Sequence, residues 1–119
     1  MTNGKQKGKR GELELSAFLR EHGFSEARRG QQFKGSPDSP DVVGLPGHHV
    51  ECKRVETLRL HTALAQAQKD AGPSDTPLVA FKANHKPWVA ILHLDDYLLM
   101  VRELEYLRAV RETTYGTLA

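Results

Sequence analysis

The stretch His49-Val50-Glu51-Cys52-Lys53 alternates, and that alternation restricts what the middle of the chain can become. Successive side chains of a strand point to opposite faces. Val50 and Cys52 then share one face, and Glu51 and Lys53 the other. The apolar pair calls for a core, so the strand belongs to a packed sheet. A carboxylate and an ammonium group project together from its margin. Such a pair can hold a metal ion and manage a nucleophilic water side by side, or it can be an ordinary ion pair on an exposed face. For an isolated Glu-x-Lys the ordinary reading prevails.

Ten residues upstream, Ser39-Pro40-Asp41-Val42-Val43 places a second carboxylate where a proline-restricted loop enters an apolar strand. Asp38 also follows a proline, but Asp41 abuts the strand and is preferred. Whether Asp41 can meet Glu51 depends on the Pro46-Gly47 turn between them. A two-residue hairpin loop pairs Leu45 with His48 and Asp41 with Cys52, and the two carboxylates then face opposite ways. A loop of three or five residues, or a bulge, sets Asp41 across from Glu51. A shared site requires the odd loop, and the odd loop is predicted.

The rest of the chain supplies supporting elements. Residues 1–8 read as a basic arm, and 9–119 as one domain. A helix is expected over 9–22, ended by Gly23, with Leu15, Phe18 and Leu19 as its buried stripe. At about 100° per residue, Glu12 lies about 20° from Leu19, at the edge of that stripe. It is either aimed at a metal or a first-turn carboxylate favoured by the helix dipole. A strand is expected over 24–29, a loop over 30–40, and short strands over 42–45 and 49–53. A helix over 58–71 buries Leu60, Ala63, Leu64, Ala67 and Ala71 and stops at Gly72-Pro73. Strands follow over 78–82 and 88–92. A last helix, capped by Asp95, runs to about Arg111. The order α-β-β-β-α-β-β-α defines an α/β domain around one mixed sheet.

Length and composition exclude several classes. A chain of 119 residues has room for one core. No apolar run is long enough to span a membrane. The single cysteine, Cys52, rules out an internal disulfide and a multi-cysteine zinc site, and fits an intracellular, cytoplasmic setting. Net charge is +2, unevenly spread: residues 1–60 hold eleven Lys and Arg against eight Asp and Glu. A basic half suits a polyanion such as nucleic acid, or is a solvated surface.

With Glu12, Pro40-Asp41 and Glu51-Cys52-Lys53 on these elements, the chain resembles the PD-(D/E)XK nuclease superfamily. More narrowly, it is similar to the small archaeal and phage Holliday-junction resolvases. That likeness spans roughly residues 7–100. It rests on Lys9-Arg10-Gly11-Glu12, Arg28-Arg29, Ser39-Pro40-Asp41-Val42-Val43-Gly44, Val50-Glu51-Cys52-Lys53-Arg54 and Gln66. The resemblance implies a restriction-endonuclease-like sheet flanked by helices. It implies that Asp41, Glu51 and the Cys52 carbonyl bind Mg²⁺, with Mn²⁺ able to substitute, and that Glu12 reaches the same metal or a second one. Lys53 would position or help deprotonate the attacking water. Such oxygen ligands suit Mg²⁺ chemically.

Gln66 lies about 60° from Ala63 at the edge of its helix stripe. It can hold the attacking water or face solvent, with Gln68 as the competing choice. Lys9, Arg10, Arg28, Arg29 and Arg54 are candidate DNA contacts. The expected partner is branched DNA, a four-way junction above all. Two opposed nicks then imply a homodimer, with the Trp88 strand or the last helix as candidate surfaces. Other nuclease tasks on the same fold, and a non-catalytic basic DNA-binding module, are the competing functions. His48-His49 lacks a third ligand at suitable spacing and reads as a pair of turn-edge histidines.

Overall fold

A computed structural model describes residues 4–30 and 40–116. The chain is α/β, with three helices and a five-stranded mixed sheet in the order β1-β2-β3-β4-β5. The elements run α1 (Gly4–Glu21), β1 (Arg28–Arg29), β2 (Val42–Val43), β3 (His48–Arg54), α2 (Leu60–Asp70), β4 (Thr76–Lys82), β5 (Val89–Ile91) and α3 (Leu94–Gly116). This is the expected order. No helix among the described residues is long and apolar enough to cross a membrane.

The strand β3 is central. It pairs antiparallel with β2 and parallel with β4. A parallel partner requires a crossover, and α2 supplies it. Adjacent residues of β4 consequently face different helices. Ala80 joins Leu15 of α1, Val42 and Val50 in one buried cluster, with Leu19, Cys52 and Trp88 packed against it. Val79 joins Ala63, Leu64 and Ala67 of α2 in the other. The predicted parity of β3 holds: Val50 and Cys52 pack on the α1 side.

Several boundaries differ from expectation. The helix α1 begins at Gly4, so residues 4–8 belong to it rather than to an arm. Only Arg28–Arg29 of the expected 24–29 strand pairs with the sheet. The reason is that Phe24 N–H donates to the Leu19 carbonyl and Ala27 N–H to the Phe24 carbonyl, which closes turns in the preceding residues. Phe18 is exposed at the stripe's edge, its ring set against His22 and Trp88. Leu60 is also exposed, because it opens the first turn of α2. Asp95 lies inside α3, where its carboxylate accepts the Asp96 N–H. Most of the expected 30–40 loop, including Asp38, lies outside the described residues.

Candidate functional site

The β2–β3 register decides whether a site can form. Val42 pairs with Val50, the register of an odd loop. A positive φ of 97° at Gly44 and of 75° at Gly47 turns the chain between the strands. One step from Val42, Asp41 brackets Glu51. Its N–H donates to the Val50 carbonyl at 2.9 Å, and its carboxylate accepts the Cys52 N–H at 2.8 Å. Asp41 and Glu51 also share a side-chain hydrogen bond. The condition set by the turn is met.

A residue's N–H and C=O leave a strand on the same side. The Cys52 carbonyl therefore lies along the β2 edge, where Asp41 sits. The thiol packs into the α1-side core. Burial, followed by the charges of Asp41, Glu12 and Glu14, raises its pKa to about 12, against the pull of Lys53. It is a packing group and a poor nucleophile.

Glu51 is buried and crowded by negative charge. Desolvation raises its carboxyl pKa first, then the charge of Asp41, the hydrogen bond with Asp41 and the charge of Asp70, with Lys53 acting in the opposite direction. The outcome is a value of about 8. His49 lies on the same strand face, its Nε2 3.0 Å from Glu51 Oε1. Among the described residues, ligand-type atoms of His49, Glu51 and Asp70 lie within 4.8 Å of one another. Asp70 ends α2, where the helix dipole disfavours an acid, so helix stability does not account for it.

His49 and Asp70 were not among the residues expected to form a site. His49 is no turn-edge residue but a buried one within β3, and its parity with Glu51 and Lys53 was the available signal. Asp70 was signalled only by helical spacing from Gln66 and Ala67. His48 does sit at the turn, its ring bonded to the Pro46 carbonyl.

Lys53 extends the same face into a cavity of about 260 Å³ between β3 and α2. Gln66 lines this cavity with Lys53, Thr57 and Thr62, while Gln68 does not. Glu12 approaches from α1, on the other side of the sheet, and is mostly buried. Its Oε2 lies 3.6 Å from Arg29 Nε. Burial and the charge of Asp41 raise its pKa, and Arg29 opposes them. Glu12 is therefore near enough to feel Asp41, but its carboxylate is set against Arg29 rather than in the His49–Glu51–Asp70 cluster.

The basic residues divide in two. Lys9, Arg10 and Arg28 are exposed. Arg29 faces Glu12, and Arg54 is held by Glu14 at 3.0 Å and by the Lys82 carbonyl. No family model, curated protein or solved structure matches the chain.

Proposed function

We propose that this chain is a metal-dependent DNA endonuclease of the PD-(D/E)XK kind, with a restriction-endonuclease-like fold, acting on branched DNA as a junction resolvase. The observation that carries this reading is the Val42–Val50 register, which brings Asp41 onto Glu51 with Lys53 on the same strand face as Glu51. The donor set fits a hard dication: two carboxylates and a backbone carbonyl offer oxygen. Burial first, and then the charges of Asp41 and Asp70, raise the Glu51 pKa against Lys53, and a bound dication would oppose that shift.

Asp41, Glu51 and the Cys52 carbonyl would hold Mg²⁺ or Mn²⁺. When bound, the ion neutralises charge on the scissile phosphate and lowers the pKa of water for in-line attack. Lys53 offsets phosphate charge and positions the attacking water. Gln66, in the same cavity, offers a donor and an acceptor to that water. His49 Nε2, 3.0 Å from Glu51 Oε1, helps to hold that carboxylate in place. Lys9, Arg10 and Arg28 are free to meet backbone phosphates, whereas Arg29 and Arg54 act chiefly by neutralising Glu12 and Glu14. Two opposed nicks in a four-way junction call for two copies of the chain.

The test is cleavage of a labelled four-way junction beside linear duplex and single strand, with Mg²⁺ and with chelator. Cleavage lost in Lys53→Ala and with chelator supports the nuclease. Equal cutting of junction and duplex replaces the resolvase with another nuclease of the same fold. DNA binding without cleavage under any condition leaves the binding module.

A further inference from the structure

The parallel crossover returns the end of α2 to the start of β3. Asp70 closes α2, β4 begins at Thr76, and Thr76 pairs with His48. Along this path helix and strand advance in step. Four helical residues rise about 6 Å and two strand residues about 6.6 Å. Gln66 and Lys53 share a cavity. Asp70 lies one turn on from Gln66, and Glu51 two residues back from Lys53, with His49 two further. Asp70 therefore arrives level with Glu51 and His49, on the strand face those two residues share.

The group is more than an ion pair. His49 is 3% exposed and Glu51 5%, and His49 Nε2 lies 3.0 Å from Glu51 Oε1. An Asp70 oxygen completes a triangle of ligand-type atoms no wider than 4.8 Å. Among the described residues no lysine or arginine pairs with Asp70. One imidazole cannot neutralise two carboxylates, and the last carbonyls of α2 add partial negative charge that favours a cation there. A dication bound at about 2.0–2.2 Å holds its donor atoms about 3–3.5 Å apart. The His49–Glu51 spacing already meets this. The partly exposed Asp70 carboxylate has little more than an ångström to move. The nitrogen decides which ion fits. Mg²⁺ takes oxygen ligands and keeps its waters, whereas an imidazole beside carboxylates suits Zn²⁺ and its first-row neighbours. Ligation through Nε2 leaves the ring proton on Nδ1.

We infer that His49, Glu51 and Asp70 form a transition-metal site, which takes Zn²⁺ or a dication of like preference through one imidazole nitrogen and two carboxylates. This goes beyond the proposed function, in which Asp70 has no part and His49 only steadies Glu51. It holds whether or not the chain cuts DNA. Because the site draws on Glu51, a transition dication here competes with Mg²⁺ for that carboxylate.

The test is titration of the untagged full chain with Zn²⁺ by calorimetry, with circular dichroism as a folding control. Ring-nitrogen NMR follows the six histidines in parallel. The first equivalent of Zn²⁺ is expected to shift Nε2 of His49. Loss of even an outer-shell partner costs about 10–100-fold in metal affinity, so loss of a ligand costs at least about tenfold. Asp70→Asn, at a partly exposed helix end, is expected to stay folded and weaken Zn²⁺ by that much, and His49→Gln likewise. Asp41→Asn is expected to keep its Zn²⁺ affinity while losing Mg²⁺. One equivalent of Zn²⁺ is expected to weaken Mg²⁺ binding by the wild type. Zn²⁺ affinity unchanged in Asp70→Asn, or a first equivalent that shifts other histidines and not His49, overturns the proposal. Zn²⁺ lost in Asp41→Asn overturns it too, by placing the ion on the Asp41–Glu51 pair. Mg²⁺ binding indifferent to Zn²⁺ overturns the sharing of Glu51. Zn²⁺ binding is the readout, so failure here is separable from failure to cleave DNA.

Discussion

The Cys52 N–H donates to Asp41 Oδ2 across 2.8 Å, joining two residues eleven apart in the chain. Asp41 thus has a structural task beside any catalytic one. Asp41→Asn keeps an acceptor for that N–H, whereas Asp41→Ala leaves a part-buried donor unmatched. Urea denaturation should find the alanine variant about 1–2 kcal/mol less stable than the asparagine variant. Metal-dependent cleavage should be lost in both. Equal stability of the two would remove the structural task.

Glu51 sets a pH dependence. Its carboxyl titrates near 8 in the fold, against its usual 4.5. Between those values the native state holds a proton that the unfolded chain has released. Metal-free stability therefore falls as pH rises from about 4.5 to about 8, and the loss is complete above that. Glu51→Gln should flatten this slope and raise the metal-free melting temperature at pH 8 by at least about 4 °C, the equivalent of ~1 kcal/mol in a domain of this size. Mg²⁺ should stabilise the wild type at pH 8 and leave Glu51→Gln unmoved. A melting temperature that is flat across the window in chelator would contradict this account.

Lys53 and Gln66 face one cavity, and Gln68 does not. Lys53→Ala should lower the single-turnover cleavage rate by about 10²-fold or more while leaving Mg²⁺-induced stabilisation in place. Gln66→Ala should slow cleavage more than Gln68→Ala does. The reverse order would place the water-holding group elsewhere on α2.

Gly44 and Gly47 both have positive φ, but only Gly44 is crowded. A Cβ there would lie 2.5 Å from the Glu26 carbonyl oxygen and 2.6 Å from Ala27 Cα, while at Gly47 it would meet open space. Gly47→Ala should cost about 1 kcal/mol from backbone strain alone. Gly44→Ala should cost clearly more and disturb the β2–β3 register, reducing Mg²⁺ binding with it. Similar losses at the two positions would mean that the β1–β2 packing around Gly44 is not a determinant of the site.

With its pKa near 12 the Cys52 thiol should be inert in the folded chain. A disulfide reagent at pH 8 should react much more slowly with the folded chain than with the chain in urea, because the raised pKa leaves little thiolate. Fast native labelling would place the thiol at the surface rather than in the α1-side core.

The sequence by itself determined the elements and the facing of β3. Alternation at 49–53 is a local property of an extended backbone, and helical periodicity marked Leu15 and Leu19 on one helix and Ala63, Leu64 and Ala67 on the other. It also named the condition under which Asp41 and Glu51 can meet. Tertiary structure decided that condition, because register depends on two positive-φ glycines and on Gly44 lying against Ala27. It alone joined His49, Glu51 and Asp70, since the parallel β3–α2–β4 crossover returns the end of α2 to the strand. It also committed Arg29 and Arg54 to carboxylates, where sequence showed only basic residues. The apolar character of α3 was legible throughout, but only the fold revealed how much of it stays exposed among the described residues. Parity and periodicity are written residue by residue, whereas register and convergence depend on which distant surfaces the core brings together.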